Sequence, residues 1–234
     1  MAVIIIPAAG EGSRFAKAGY TDSKPMLIAR GAPMIARVLW MFASTHRKIV
    51  VCRAVDVDRI IGIGGGNIAA AIPLDKLTEG AALTVLCAEA QVSDDEPVVV
   101  VNSDNLILGG AAEGFIDEAL KSNCDGAMLL FRTAAGPWSF AKLRGNRVVQ
   151  VAEKSPISDF ATAGVYYFKC WRILRTAICR MVANNDRVNG EFYLAPVYNY
   201  MIGVGMSVLG VEIPRHKFVS LGTPEDLEHF NALT

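Results

Sequence analysis

The sequence predicts an α/β fold, a mainly parallel sheet with helices on both faces, built as one domain over residues 1–234. Three observations carry that expectation. Short runs rich in valine and isoleucine recur between helical patterns. The runs are continuously apolar rather than alternating, as strands covered on both faces are. No low-complexity linker divides the chain, and no internal repeat is evident.

In chain order, "VIII" at 3–6, "KIVVC" at 48–52, "PVVVV" at 97–101 and "GAMLLF" at 126–131 read as strands. "PMIARVLWMFAS" at 33–44 fits a first crossover helix, and "AAEGFIDEALKS" at 111–122 a later one. "FAKLRGNRVVQVAEK" reads as a hairpin turning at Gly145-Asn146, and "FATAGVYYF" as a further strand. Helical patterns follow at 170–183 and in "FYLAPVYNYMI" at 192–202, and a last helix begins at "TPEDLEHF". The expected organisation is a nucleotide-binding half, about 1–125, with an acceptor-binding half, about 126–234, wrapped onto it.

Composition narrows the function classes. Hydrophobic residues make up 52% of the chain, enough for a sizeable core. No apolar run reaches the roughly 18 residues that cross a bilayer, and "AVIIIP" reads as a buried strand rather than a leader. The 23 basic and 23 acidic residues balance, so no general field favours nucleic acid or an anionic membrane. Five cysteines without a CxxC pair read as reduced core residues of a cytoplasmic protein. Homo-oligomerisation is left open.

Chemistry concentrates at four landmarks. In "PAAGEGSRF" an apolar strand runs into Gly10 and Gly12, where backbone can take positive φ and a ligand can approach the main chain. Successive amides there form an anion-binding concavity, with Ser13, Arg14 and, beyond them, Lys24 as a hydroxyl and two positive charges. In "VVVVNSDN", Asp104 lies just past a buried strand, on the edge where open α/β sheets bind ligands. A carboxylate beside phosphates is a usual holder of Mg²⁺. "VAEKSP" sets Glu153 and Lys154 side by side after another strand, and "LGTPEDL" stands near the C-terminus.

With these four motifs in this order, the chain resembles the nucleotidyltransferases that activate sugar phosphates and related phosphorylated alcohols. The resemblance covers nearly the whole sequence and is nearest to capsule-associated members, through "TEGAALTVL", "AEKSPISDFATAGVYYF" and "NGEFYLAPVYN". It implies a Rossmann-like nucleotidyltransferase fold, Mg²⁺ as cofactor, and an NTP, with CTP favoured, and a small phosphorylated acceptor as substrates. It further implies that Ala8, Gly10, Gly12 and Ser13 cradle the nucleotide, that Arg14 and Lys24 bind its phosphates, and that Thr78 and Gly80 contact the base. By the same resemblance Asp104 holds the metal and acts with Arg14 and Lys24 in catalysis. Glu153 and Lys154 hold the acceptor, and "TAG" at 162–164, with Gly164, closes that pocket. One position departs from the pattern: many relatives place an aspartate immediately before "LGT", and here it is Ser220.

Plainer readings cover the remaining features. "GIGGGN" at 62–67 lacks the clean preceding strand and acidic partner of a dinucleotide fingerprint and reads as a flexible turn. Thr223-Pro224-Glu225-Asp226 reads as a capping box. Glu191 is read as the start of a helix with a pocket role as the alternative; His46, His216 and His229 are scattered, and Tyr166 and Tyr167 pack. Two rival functions share this architecture. A nucleotide-sugar glycosyltransferase lacks the Gly-x-Gly-x-Arg loop with a following Lys-Pro, and a non-catalytic nucleotide-binding relative has Ser220 as its only support.

Overall fold

The computed structural model describes residues 1–233. The first half comprises β1 (Val3–Ala8), α1 (Ser13–Lys17), β2 (Ile28–Ala29), β3 (Ala32–Pro33), α2 (Met34–Leu39) and β4 (Arg47–Arg53). It continues with α3 (Val57–Gly64), β5 (Ala70–Leu74), α4 (Ala81–Leu86), β6 (Val98–Val101), β7 (Asn105–Ile107) and α5 (Ala111–Lys121). The second half holds β8 (Gly126–Arg132), β9 (Ser139–Arg144), β10 (Arg147–Glu153), β11 (Phe160–Phe168) and α6 (Trp171–Ala183). It ends with α7 (Val197–Ile202), β12 (Val208–Glu212), β13 (Phe218–Ser220) and α8 (Pro224–Ala232).

Nine strands form one sheet in the order β5-β4-β1-β6-β11-β8-β12-β10-β9. β5, β4, β1 and β6 are mutually parallel, as their unbroken apolar runs predict. Ile4, Ile5 and Ile6 are wholly buried, and so are Val98, Val99, Val100 and Val101. Two apolar clusters result, one on each face, because alternate residues of a strand point to opposite sides. The parallel character stops at β6. β11 runs antiparallel to both β6 and β8, and β9 and β10 form the expected hairpin. The sheet is therefore parallel in its first half and mixed in its second.

Two helices are shorter than their apolar patterns. Residues 33–44 yield only Met34–Leu39, and 192–202 only Val197–Ile202. Phe42, Phe192, Leu194 and Ala195 are nevertheless buried, so these side chains reach the core from turns rather than from helix. Glu191 accordingly starts no helix. "GIGGGN" closes α3 and continues into a 3₁₀ turn over Gly65–Asn67. The last helix begins on a complete capping box: Asp226 N donates to Thr223 Oγ1 and Thr223 N to Asp226 Oδ2, both at 3.2 Å.

The cysteines are all free, but only Cys52 and Cys124 are buried; Cys87 and Cys179 are exposed and Cys170 is intermediate, which corrects the reading of five core thiols. His46 is structural, since its Nδ1 accepts from Ala2 N at 3.1 Å and its Nε2 lies 3.2 Å from Glu113. No helix among the described residues is long and apolar enough to cross a membrane.

Candidate active site

The carboxyl ends of β1 and β6 open into a cleft with two continuous compartments. The larger, about 540 Å³, is lined by Ala8, Gly10, Gly12, Ser13, Arg14, Lys24, Thr78 and Gly80, together with Ala81, Thr84 and Glu191. All eight residues assigned to the nucleotide and its phosphates thus share one compartment. The second, about 350 Å³, is lined by Asp104, Glu153 and Lys154 with Asn102, Asn105, Trp138, Ser139, Tyr193, Ser220 and Asp226. Arg14 and Lys24 line both. Two cations therefore stand on the wall that the compartments share.

The phosphate loop is made largely of backbone. Gly12 has φ +63 and precedes α1, so it adopts a conformation that side-chain-bearing residues rarely take. A Cβ there would also lie 3.1 Å from Lys24 Cβ, pressing on the very lysine that faces the cleft. The first helical bonds run from Phe15 N and Ala16 N to Gly12 O, at 2.9 and 3.1 Å. The amides of Ser13 and Arg14 precede them and stay available to a ligand. Phe15, buried beneath, anchors the turn. Arg14 is exposed, ready to meet an anion.

Gly80 owes its identity to a distant part of the chain. Its φ is +126, and a Cβ would fall 2.5 Å from Phe192 O and 2.6 Å from Phe192 N. Those backbones are stitched together, with Phe192 N donating to Glu79 O at 2.8 Å and Ala82 N to Phe192 O at 3.1 Å. Thr78 Oγ1 lies 2.5 Å from Thr84 Oγ1, and both hydroxyls are within 3.2 Å of Gly80 O. Nothing in "ALTVL" marks Thr84 as a cleft-facing hydroxyl.

Asp104 sits between β6 and β7, and Lys24 Nζ donates to its Oδ2 at 2.5 Å. Both side chains are about one-fifth exposed, so solvent screens this pair only partly. Pairing of β13 with β7 brings Ser220 opposite Asn105, and Leu221 N donates to Asp104 O at 2.7 Å. Ser220 does not leave the place without an acid. Its hydroxyl donates to Asp226 Oδ2 at 3.2 Å, so the capping carboxylate of α8 also borders the compartment. Gly222 stands between the acids, with a would-be Cβ 3.5 Å from Asp104 Oδ2 and 4.0 Å from Asp226 Oδ2. This all-oxygen set of two carboxylates and a hydroxyl suits a hard cation such as Mg²⁺. Among the described residues no group of three or more His, Cys, Asp or Glu is arranged for a metal, so phosphates and water would complete its shell.

The far wall is made of side chains. Register pairs Ser139 with Glu153 across β9 and β10, and the Ser139 hydroxyl donates to the Glu153 carboxylate. Burial pushes the Glu153 carboxyl above its ordinary range, against the opposing pull of Ser139 and Lys154. Lys154 has φ +54, its amide donates to Trp138 O at 3.0 Å, and its Nζ donates to Tyr193 Oη at 2.5 Å. Gly164 does not line the compartment. It lies at the irregularity of β11, at φ +75, where a Cβ would come within 2.7 Å of Asn102 Nδ2 and press on Asn105 as well. Its carbonyl accepts from Asn102 N at 2.8 Å. It supports the strand-end asparagines rather than closing the pocket itself, whereas Thr162 of the same "TAG" does face the compartment. Thr162 Oγ1 lies 3.0 Å from the hydroxyl of Tyr166, which lines the compartment as well as packing.

Comparison with known proteins identifies the family and the fold. The family model for nucleotidyl transferases matches residues 3–190. A crystal structure of a nucleoside-diphosphate-sugar pyrophosphorylase from Vibrio cholerae RC9 is 30% identical, with a TM-score of 0.83, covering 99% of this chain and 100% of that one. The inositol-1-phosphate CTP transferase of T. maritima shares the fold at 15% identity and a TM-score of 0.78, covering 98% of this chain and 94% of that one. The bifunctional protein GlmU of Sinorhizobium fredii is 26% identical over 242 residues, 98% of this chain; the chain spans 51% of that relative's length. The match takes in the phosphate loop and the strand-end aspartate, and the chain belongs to the nucleotidyl transferase family.

Proposed function

We propose that the protein transfers a nucleoside monophosphate group from an NTP onto a small phosphorylated acceptor, a sugar phosphate or phosphorylated alcohol, and releases pyrophosphate. One observation carries this reading: Arg14 and Lys24 line both compartments, so they stand where the phosphates of donor and acceptor must meet. The acceptor's phosphate has a second pKa of about 6 and is already a nucleophile at neutral pH. No general base is needed. The chain's task is to align an acceptor oxygen with the α-phosphorus and to stabilise charge on the departing pyrophosphate.

The residues divide that task. Loop amides and Ser13 hold the nucleotide phosphates, and Thr78 and Gly80 frame the base. Arg14 stabilises developing charge, and the Lys24 ammonium turns from Asp104 towards phosphate oxygens once nucleotide enters. Glu153 and Lys154 hold the acceptor, Lys154 on its phosphate. Asp104, with Asp226 and Ser220 beside it, would hold Mg²⁺. The ion supplies positive charge that neutralises the phosphates. CTP as donor and a surface-polysaccharide precursor as product rest on the sequence resemblance to capsule-associated members.

Pyrophosphate release tests the reading. CTP, UTP, dTTP and GTP with Mg²⁺ are each paired with sugar 1-phosphates, inositol 1-phosphate, other phosphorylated alcohols and phosphorylated amides. The expected result is release with CTP and one acceptor group. Nucleotide binding without pyrophosphate from any pair would instead support the non-catalytic relative.

A further inference from the structure

Lys154 is held in an unusual way. Its backbone is left-handed at φ +54, a conformation that a residue other than glycine adopts only when its surroundings impose it. Two contacts hold the residue here. Its amide donates to Trp138 O at 3.0 Å, and its Nζ donates to Tyr193 Oη at 2.5 Å while lying 4.5 Å from that ring's centroid. Lys154 is exposed, and an unpartnered lysine head samples many rotamers; this one has a partner in Tyr193, which lines the same compartment.

Tyr193 is itself rigidly carried. The residue before it is clamped to the Glu79–Ala82 segment by the two backbone bonds described above. Arg187 reinforces the clamp, with Nη2 2.9 Å from Glu79 Oε2 and its guanidinium 4.0 Å from the Phe192 ring centroid. Burial, with Glu191 nearby, raises the Tyr193 phenol above its ordinary value, so the hydroxyl stays neutral at physiological pH. A neutral hydroxyl can accept from Lys154 without cancelling the ammonium's charge.

We infer that Tyr193 is a positioning residue for acceptor recognition: it holds the Lys154 ammonium at a fixed point so that a phosphate monoester meets a preorganised cation. The inference rests on the two-compartment reading proposed above. An ammonium has three donors, so with one spent on Tyr193 two remain for phosphate oxygens. Tyr193 works through Lys154, and removing its hydroxyl loosens the cation without removing charge.

Inorganic phosphate is the probe, because every acceptor of this class shares that group. It is titrated into metal-free protein saturated with CTP, which occupies the other phosphate site, and followed by ³¹P line broadening. Lys154→Met should weaken phosphate by about 10-fold or more, as loss of a charge-assisted contact does. Tyr193→Phe should weaken it by about 3- to 10-fold, the effect of one ordinary hydrogen bond. In the double variant the Tyr193→Phe effect should vanish, since nothing is left to position. A merely structural tyrosine would leave an effect in both backgrounds. Tyr193→Phe titrating like the parent, or lowering affinity further in the Lys154→Met background, overturns the inference while the cleft reading stands. Lys154→Met titrating like the parent overturns the cleft reading and, with it, the inference.

Discussion

The phosphate loop and the acceptor wall face each other across the same cleft but are made differently. The loop is one continuous stretch, residues 8–24, whose Gly12 turn and free amides present main-chain donors. The wall gathers Ser139, Glu153, Lys154 and Tyr193 from two strands and a later segment, and joins them by side-chain hydrogen bonds. A backbone cradle accepts any phosphate chain, because its donors do not depend on side-chain identity. A side-chain wall can change its acceptor by exchanging residues while the strands stay put. On the function proposed above, the contrast assigns chemistry to the loop and selectivity to the wall.

The largest effect expected on this contrast comes from Lys24→Ala. Loss of a cation at the shared wall should lower turnover by about 100- to 1000-fold, with little change in melting temperature; steady-state kinetics and thermal denaturation check both. Next comes Gly80→Ala, which places a methyl group against the Phe192 backbone at positive φ. It should cost about 2–3 kcal/mol in denaturant unfolding and weaken nucleotide and acceptor together, because both compartments share that clamp. An effect on nucleotide alone would break the proposed linkage.

The smallest effect is on pH dependence. The Glu153 carboxyl is raised from 4.5, chiefly by burial. Between its unfolded and folded pKa values the native state binds more protons than the unfolded one, so stability falls as pH rises through that window. Glu153→Gln removes the term. The variant's stability relative to the parent should therefore climb as pH rises from about 4.5 and then level off. A constant difference across pH would show that burial of this carboxyl carries no such penalty.

The same contrast governs what could be read in the sequence. β1, β4, β6 and the loop were legible because continuous apolar runs and closely spaced Gly, Arg and Lys are local signals. The hairpin at Gly145-Asn146 and the capping box at Thr223 were legible for the same reason. The resemblance assigns Gly80 to the base, yet its need for glycine comes from Phe192, far along the chain and invisible in spacing. In "NGEFYL" the charge draws the eye to Glu191, whereas Tyr193, two residues on, makes the contact to Lys154. Asp226 was read as a cap and is one; its second contact, to Ser220, depends on the pairing of β13 with β7. The helices at 33–44 and 192–202 were overextended because apolar periodicity marks burial, not hydrogen bonding.

The division of labour is tested most directly by measuring nucleotide and acceptor affinity separately in Arg14→Ala and Lys154→Ala. Calorimetric titration gives CTP affinity for the free protein, and the acceptor identified by pyrophosphate release is then titrated into each nucleotide-saturated variant. Arg14→Ala should weaken CTP by about 10-fold, the loss of a charge-assisted contact. Lys154→Ala should leave CTP within about 2-fold of the parent, below the effect of one ordinary hydrogen bond, and weaken acceptor by about 10-fold or more. Loss of CTP binding in Lys154→Ala with acceptor affinity intact would contradict the assignment of the two walls.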